Sequence, residues 1–133
     1  MRTLSFVTAA ALAGTLLVAC SRSAPAGRVC TQIGCDSGLA VVVEGTPPGA
    51  FRVEARASGE APRVEECRSA RDCGRIFFTG FLPAEVTVEV IAGEATSSRT
   101  VLPAYETLTP NGPDCPPTCR QARVTVPWPG GVG

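Results

Sequence analysis

Apolar and polar positions alternate with a period of two in three stretches of this chain. Phe51-Arg52-Val53-Glu54-Ala55-Arg56-Ala57 puts Phe, Val and Ala on one side and Arg, Glu and Arg on the other. Successive strand residues point to opposite faces, so this pattern predicts a half-buried strand whose outer charges can pair with those of a neighbour. Glu85-Val86-Thr87-Val88-Glu89-Val90 and Ala122-Arg123-Val124-Thr125-Val126 repeat the pattern. Leu39 to Val43 is a β-branched run, suited to a strand covered on both faces or at an end. Arg75 to Phe81 holds Ile76, Phe77, Phe78 and Phe81 and predicts the aromatic heart of the core. Thr96 to Leu102 and Tyr105 to Thr109 are weaker strands. Turn residues punctuate these runs at Thr46-Pro47-Pro48-Gly49, Ala92-Gly93-Glu94 and Pro110-Asn111-Gly112-Pro113. About seven short strands without helical periodicity after the first twenty residues predict an all-β fold, a single antiparallel sandwich.

The first twenty residues follow a different pattern. Arg2 gives a short positive start, and Leu4 to Ala19 then runs sixteen residues without a charge. That is fewer than the roughly 20 residues a membrane-spanning helix needs, and it has the layout of a cleaved, helical secretory signal. It ends in Leu17-Val18-Ala19-Cys20, which resembles the lipobox of bacterial lipoproteins. The resemblance implies a diacylglyceryl thioether on the Cys20 sulfur, cleavage between Ala19 and Cys20, and acylation of the new amino group. Two or three acyl chains at about 0.8 kcal/mol per buried CH₂ make a stable anchor. Ser21, by the same resemblance, points to the outer membrane. The chain thus divides into a signal peptide (1–19), a lipidated cysteine with a polar tether (20–29) and a folded domain (30–133). Residues 21–29 reach about 30 Å at full extension, so the domain is expected to stay close to the membrane.

Removal of the signal leaves 114 of 133 residues, enough for one domain. The 12 basic and 12 acidic residues balance, which gives no reason to expect nucleic acid as a partner. The basic residues are all Arg. With no Lys and no His, a Schiff-base lysine, a histidine general base and a histidine metal ligand are excluded. Seven cysteines are present. With Cys20 assigned to lipid, Cys30, Cys35, Cys67, Cys73, Cys115 and Cys119 remain, an even set that reads as three disulfides in an exported domain. Six cysteines allow 15 connectivities. The spacing of Cys67 and Cys73 suggests a local loop. The pairs Cys30/Cys35 and Cys115/Cys119 each precede a strand. If those strands are neighbours, Cys30–Cys115 and Cys35–Cys119 follow; three local bridges are the alternative. Zinc would need closer spacing or a completing ligand, and redox catalysis would prefer C-x-x-C. Asp36, Asp72 and Asp114 each lie beside a cysteine, but without the Asp-x-Asp spacing of a calcium loop. No cofactor is expected.

PPGAFRVEARASG, residues 47 to 59, resembles the Pro-Gly turn and aromatic strand of transthyretin-like and carboxypeptidase-regulatory-like domains. The lipobox followed by a cysteine-bearing domain is similar to small bacterial lipoproteins. These resemblances imply an immunoglobulin-like or transthyretin-like sandwich used as a binding or spacer module, with no catalytic residues. Trp128 is expected to cap the edge of that sandwich. Serine hydrolysis lacks a base, and adjacent Glu65 and Glu66, near Asp72, should point to opposite strand faces rather than cooperate. Two surface loops stand out. Cys67-Arg68-Ser69-Ala70-Arg71-Asp72-Cys73 forms a charged disulfide loop in which Arg68, Arg71 and Asp72 are the candidate contact residues, and Asn111 to Thr118 is Pro-rich and stiff. The expectation is a monomeric, non-enzymatic lipoprotein of the bacterial cell envelope, held to the membrane by lipid. Its partner would be an envelope protein or a glycan. The alternative is a small protease inhibitor that presents Arg71 from the 67–73 loop.

Overall fold

A computed structural model describes Gly27, residues 29–45 and residues 48–129. The signal peptide, Cys20, most of the tether, the Thr46-Pro47 part of the first turn and the last four residues lie outside the described residues. Eight strands form: β1 (Gly38–Glu44), β2 (Phe51–Arg56), β3 (Arg63–Cys67), β4 (Ile76–Thr79), β5 (Val86–Ala92), β6 (Ala95–Val101), β7 (Glu106–Leu108) and β8 (Cys119–Pro127). They build two four-stranded sheets, ordered β4-β1-β8-β7 and β3-β2-β5-β6.

The alternating stretches give β2, β5 and β8, and their apolar positions turn inward. Val53, Ala55, Val86, Val88, Val90, Ala122, Val124 and Val126 join Leu39, Val41, Phe78 and Phe81 in a single core that draws on both sheets. In β1, Leu39, Ala40 and Val41 are all buried. Leu39 and Val41 belong to the core. Ala40 lies on the outer face, in one row with Phe77 of β4 and Arg123 of β8. Phe77 is therefore only half-buried, outside the core; of the expected aromatic cluster, Phe78 and Phe81 pack edge to face at 6.2 Å. Trp128 closes the core at one end, with its ring 5.5 Å from Phe51 and its backbone N–H donated to the Glu44 carbonyl at 2.9 Å.

Two expectations need correction. The strands number eight rather than about seven, because Arg63–Cys67 pairs with β2 along its whole length. As an exposed edge strand it has no apolar periodicity to announce it. Nor is the fold wholly antiparallel, since β1 and β8 pair in parallel from Gly38↔Gln121 to Glu44↔Pro127. The reason is directional. Residues 102–105 carry the chain from β6 in one sheet to β7 in the other, and the first and last strands end up running the same way side by side.

The register defines two ends. β1 and β8 begin at one, and the segments 29–37, 80–85 and 109–118 gather there. This is the entry end, where the chain arrives from residue 29. At the other, the far end, lie residues 45, 48–50, 68–75, 93–94 and 128–129. Ala92 and Ala95 close the β5–β6 hairpin there, with Gly93 (φ 59°) at the first central position of a two-residue turn.

Candidate functional site

The six domain cysteines form three bridges: Cys30–Cys115, Cys35–Cys119 and Cys67–Cys73, with Cα separations of 5.6, 6.0 and 5.7 Å. This is the connectivity that neighbouring strands favour, since β1 and β8 are partners, with Cys30 and Cys35 ahead of β1, Cys115 ahead of β8 and Cys119 its first residue. Both long bridges sit at the entry end. The local bridge sits at the far end, where β3 stops.

At the far end the Cys67–Cys73 loop is a tight turn. Its cysteines are buried while Arg68, Arg71 and Asp72 are exposed. The Asp72 N–H donates to Ser69 Oγ at 3.3 Å, which folds the loop over on itself. Among the described residues neither Arg68 nor Arg71 has an ion-pair or hydrogen-bond partner, so both guanidinium groups are offered to solvent. Glu65 and Glu66 are exposed on β3, opposite Val53 and Arg52 respectively, and so flank different faces. Among the described residues no three His, Cys, Asp or Glu side chains are grouped to hold a metal ion.

At the entry end, Asn111 binds two loops together. Its Oδ1 accepts from Thr31 Oγ1 at 2.7 Å and from the Ile33 N–H at 2.8 Å. Its Nδ2 donates to the Ile33 carbonyl at 2.9 Å and the Pro116 carbonyl at 2.7 Å. The amide pairs with both backbone groups of Ile33 as an adjacent strand residue would, and it is placed by the turn in which the Gly112 N–H reaches the Thr109 carbonyl. A groove of about 460 Å³ runs along this clamp between residues 30–34 and Pro116-Pro117, which are joined by a cis peptide bond. With all four hydrogen-bonding positions of Asn111 occupied, that groove offers a ligand mainly apolar contact.

Two polar arrangements were not read from the sequence. On the outer face of the second sheet, Glu54 and Glu89 stand directly opposite one another. Arg56 bridges them, with Nε 2.7 Å from Glu54 and Nη1 3.0 Å from Glu89, and the two carboxylates hold its guanidinium proton more firmly, Glu54 most of all. Glu54 is thereby buried, although it occupies an outward position. On the outer face of the first sheet, Arg75, Ala40, Arg123, Gln121, Glu106 and Leu108 line a second groove of about 460 Å³. Residues 75, 40, 123 and 106 come from four different strands or their ends, so no local motif announces the groove. Near the entry end, Tyr105 donates its hydroxyl to the Pro83 carbonyl at 3.0 Å and lies under the Arg120 guanidinium at 5.3 Å. Burial pushes its phenol pKa up, and the Arg120 charge partly opposes that.

Compared with protein-family models, with curated proteins and with solved structures, the chain matches none.

Proposed function

We propose that the chain is a lipid-anchored bacterial lipoprotein of the cell envelope, carried at Cys20 and bound for the outer membrane. Its domain, a sandwich of the immunoglobulin-like or transthyretin-like kind, is a non-catalytic binding or structural module. The lipobox at residues 17–20 and the pairing of the six remaining cysteines support the exported, anchored part of this reading. The single observation that carries the module reading is polarity. The tether enters at one end, and the exposed Arg68, Arg71 and Asp72 stand on a disulfide-closed loop at the other. β8 alone covers nine residues, about 30 Å at roughly 3.3 Å per residue. A domain so built holds a stiff, charged loop away from the surface to which it is fastened.

The test has two parts. Cells fed a clickable palmitate should label the wild-type chain and not Cys20→Ala, which should leave the membrane fraction. A photo-crosslinking residue at position 71 should then yield a discrete adduct in intact cells that the same residue at position 94 does not. Absence of lipid label would reject the anchor; equal cross-linking from both positions would reject the loop as a contact site.

The inhibitor reading makes a different demand. A substrate-like inhibitor lays an extended segment along the protease as an added strand, whereas residues 70–73 are curled into a turn. The oxidised protein should therefore leave trypsin uninhibited at an equimolar ratio. Stoichiometric inhibition would favour the inhibitor instead.

A further inference from the structure

The large hydrophobic side chains left in water are unevenly distributed. Val29 (93% exposed), Ile33 (55%) and Leu82 (37%) belong to segments that gather at the entry end, and Leu108 (37%) is the last residue of β7 there, opposite Cys119 on the outer-face side of the first sheet. Leu102 and Val64 lie at mid-height on its flanks, and the far end carries none among the described residues. Exposed Pro116 and half-buried Pro117 add to the same surface beside Ile33. Single exposed aliphatics are ordinary, but a group at one end of a small domain marks a contact surface. The chain enters the domain through that end.

Resting on the lipoprotein reading, we propose that the entry end is a membrane-docking surface: Val29, Ile33, Leu108 and Pro116 seat on the lipid bilayer that holds the acyl chains of Cys20. Three observations converge on a bilayer as the occupant. Residues 21–29 are too short to lift the domain far from the anchor. The surface is built to stay in shape, since Ile33 and Pro116 are both hydrogen-bonded to Asn111 and both loops are closed by disulfides. The anchor makes docking intramolecular, so a modest apolar contact suffices. Asp36, Glu60, Glu85 and Asp114 at this end outnumber Arg63 and Arg120. The attraction is therefore apolar rather than electrostatic, and it should survive high salt. Docking in this way orients the domain upright, with Arg68 and Arg71 facing away from the membrane.

The chain's single tryptophan, Trp128, lies at the far end and serves as an internal reference. The mature lipoprotein is purified in detergent, its acyl chains are verified by intact mass, and it is reconstituted into zwitterionic phosphatidylcholine vesicles with or without acyl-chain bromination. Trp128 emission should be unchanged by the brominated lipid. In Ile33→Trp and Leu108→Trp, each keeping Trp128, the added emission should be mostly lost, at low and at high salt alike. Ile33→Asp combined with Leu108→Trp should restore it. Added tryptophans quenched no more than Trp128 in a protein of verified acylation would overturn the docking and leave the anchor standing. A mass without acyl chains would overturn both. A concentration-dependent dimer abolished by Ile33→Asp would overturn it in favour of a second copy as the occupant.

Discussion

Asn111 concentrates four hydrogen bonds in one half-buried side chain. Replacing it by Ala should cost about 1–3 kcal/mol, since the Ile33 and Pro116 backbone groups lose their partners at once. Asn111→Asp should be at least as harmful at neutral pH, because its second oxygen would face two carbonyls where an N–H₂ now donates. Urea denaturation of the oxidised protein checks both. Tyr105 supplies a pH prediction. Burial raises its pKa above the ordinary phenol value of about 10, so the folded state holds this proton more tightly than the unfolded state. The stability this contributes is complete below about pH 10 and is lost as pH rises through the folded value. Tyr105 is the chain's only tyrosine, so an ultraviolet phenolate titration reads it directly. Arg120→Ala should move the midpoint further up. Neither role was legible locally. Asn111 was visible as a turn residue, but its partners Thr31 and Ile33 lie 80 and 78 positions away.

At the scale of the element, alternation identified the strands that face a core and passed over β3, which does not. The outer face of β2 shows the same boundary. Its Arg-Glu-Arg pattern announced pairing with a neighbouring strand, and Arg56 does reach Glu89 of β5. That Glu54 would sit opposite Glu89, forcing Arg56 to serve both, depended on register. β1 carries a tighter constraint. A Cβ on Gly38 would meet the Phe78 carbonyl oxygen and, at 3.0 Å, the Phe77 ring. Backbone cannot swing aside as a side chain can. Gly38→Ala should therefore destabilise by about 1–3 kcal/mol, the usual cost of overpacking, measured as a lower Tm. Gly49→Ala, with open space around its Cβ position, is the matching control.

At the scale of the whole molecule, Cys30–Cys115 and Cys35–Cys119 span separations of 85 and 84 residues and overlap along almost their whole length. Whichever remains already closes the long loop, so the other closes only a ring of about ten residues, worth about 3 kcal/mol in the loop-entropy model. Removing either pair by Cys→Ala should cost about that much. Removing the second pair as well should cost a further 4 to 5 kcal/mol, because the long loop then opens. The double loss thus exceeds the sum of the single ones, which denaturation of the three variants will show. Equal, additive losses would contradict the shared long loop.

By itself the sequence determined the strand-rich class, the inward positions of β2, β5 and β8, the lipobox resemblance and an even set of cysteines for oxidation. These properties are local or compositional: period, short motif and parity need no knowledge of what lies alongside. Tertiary structure alone decided that β1 and β8 run parallel, that β6 passes into β7 in the other sheet, that Asn111 clasps Ile33, and that Arg75 and Arg123 share a groove. It alone separated the molecule into an entry end that gathers exposed aliphatic side chains and a far end that carries the Arg68–Asp72 loop. Each of these depends on which segments become neighbours, and that choice is made by the packing of a common core among residues distant in the chain.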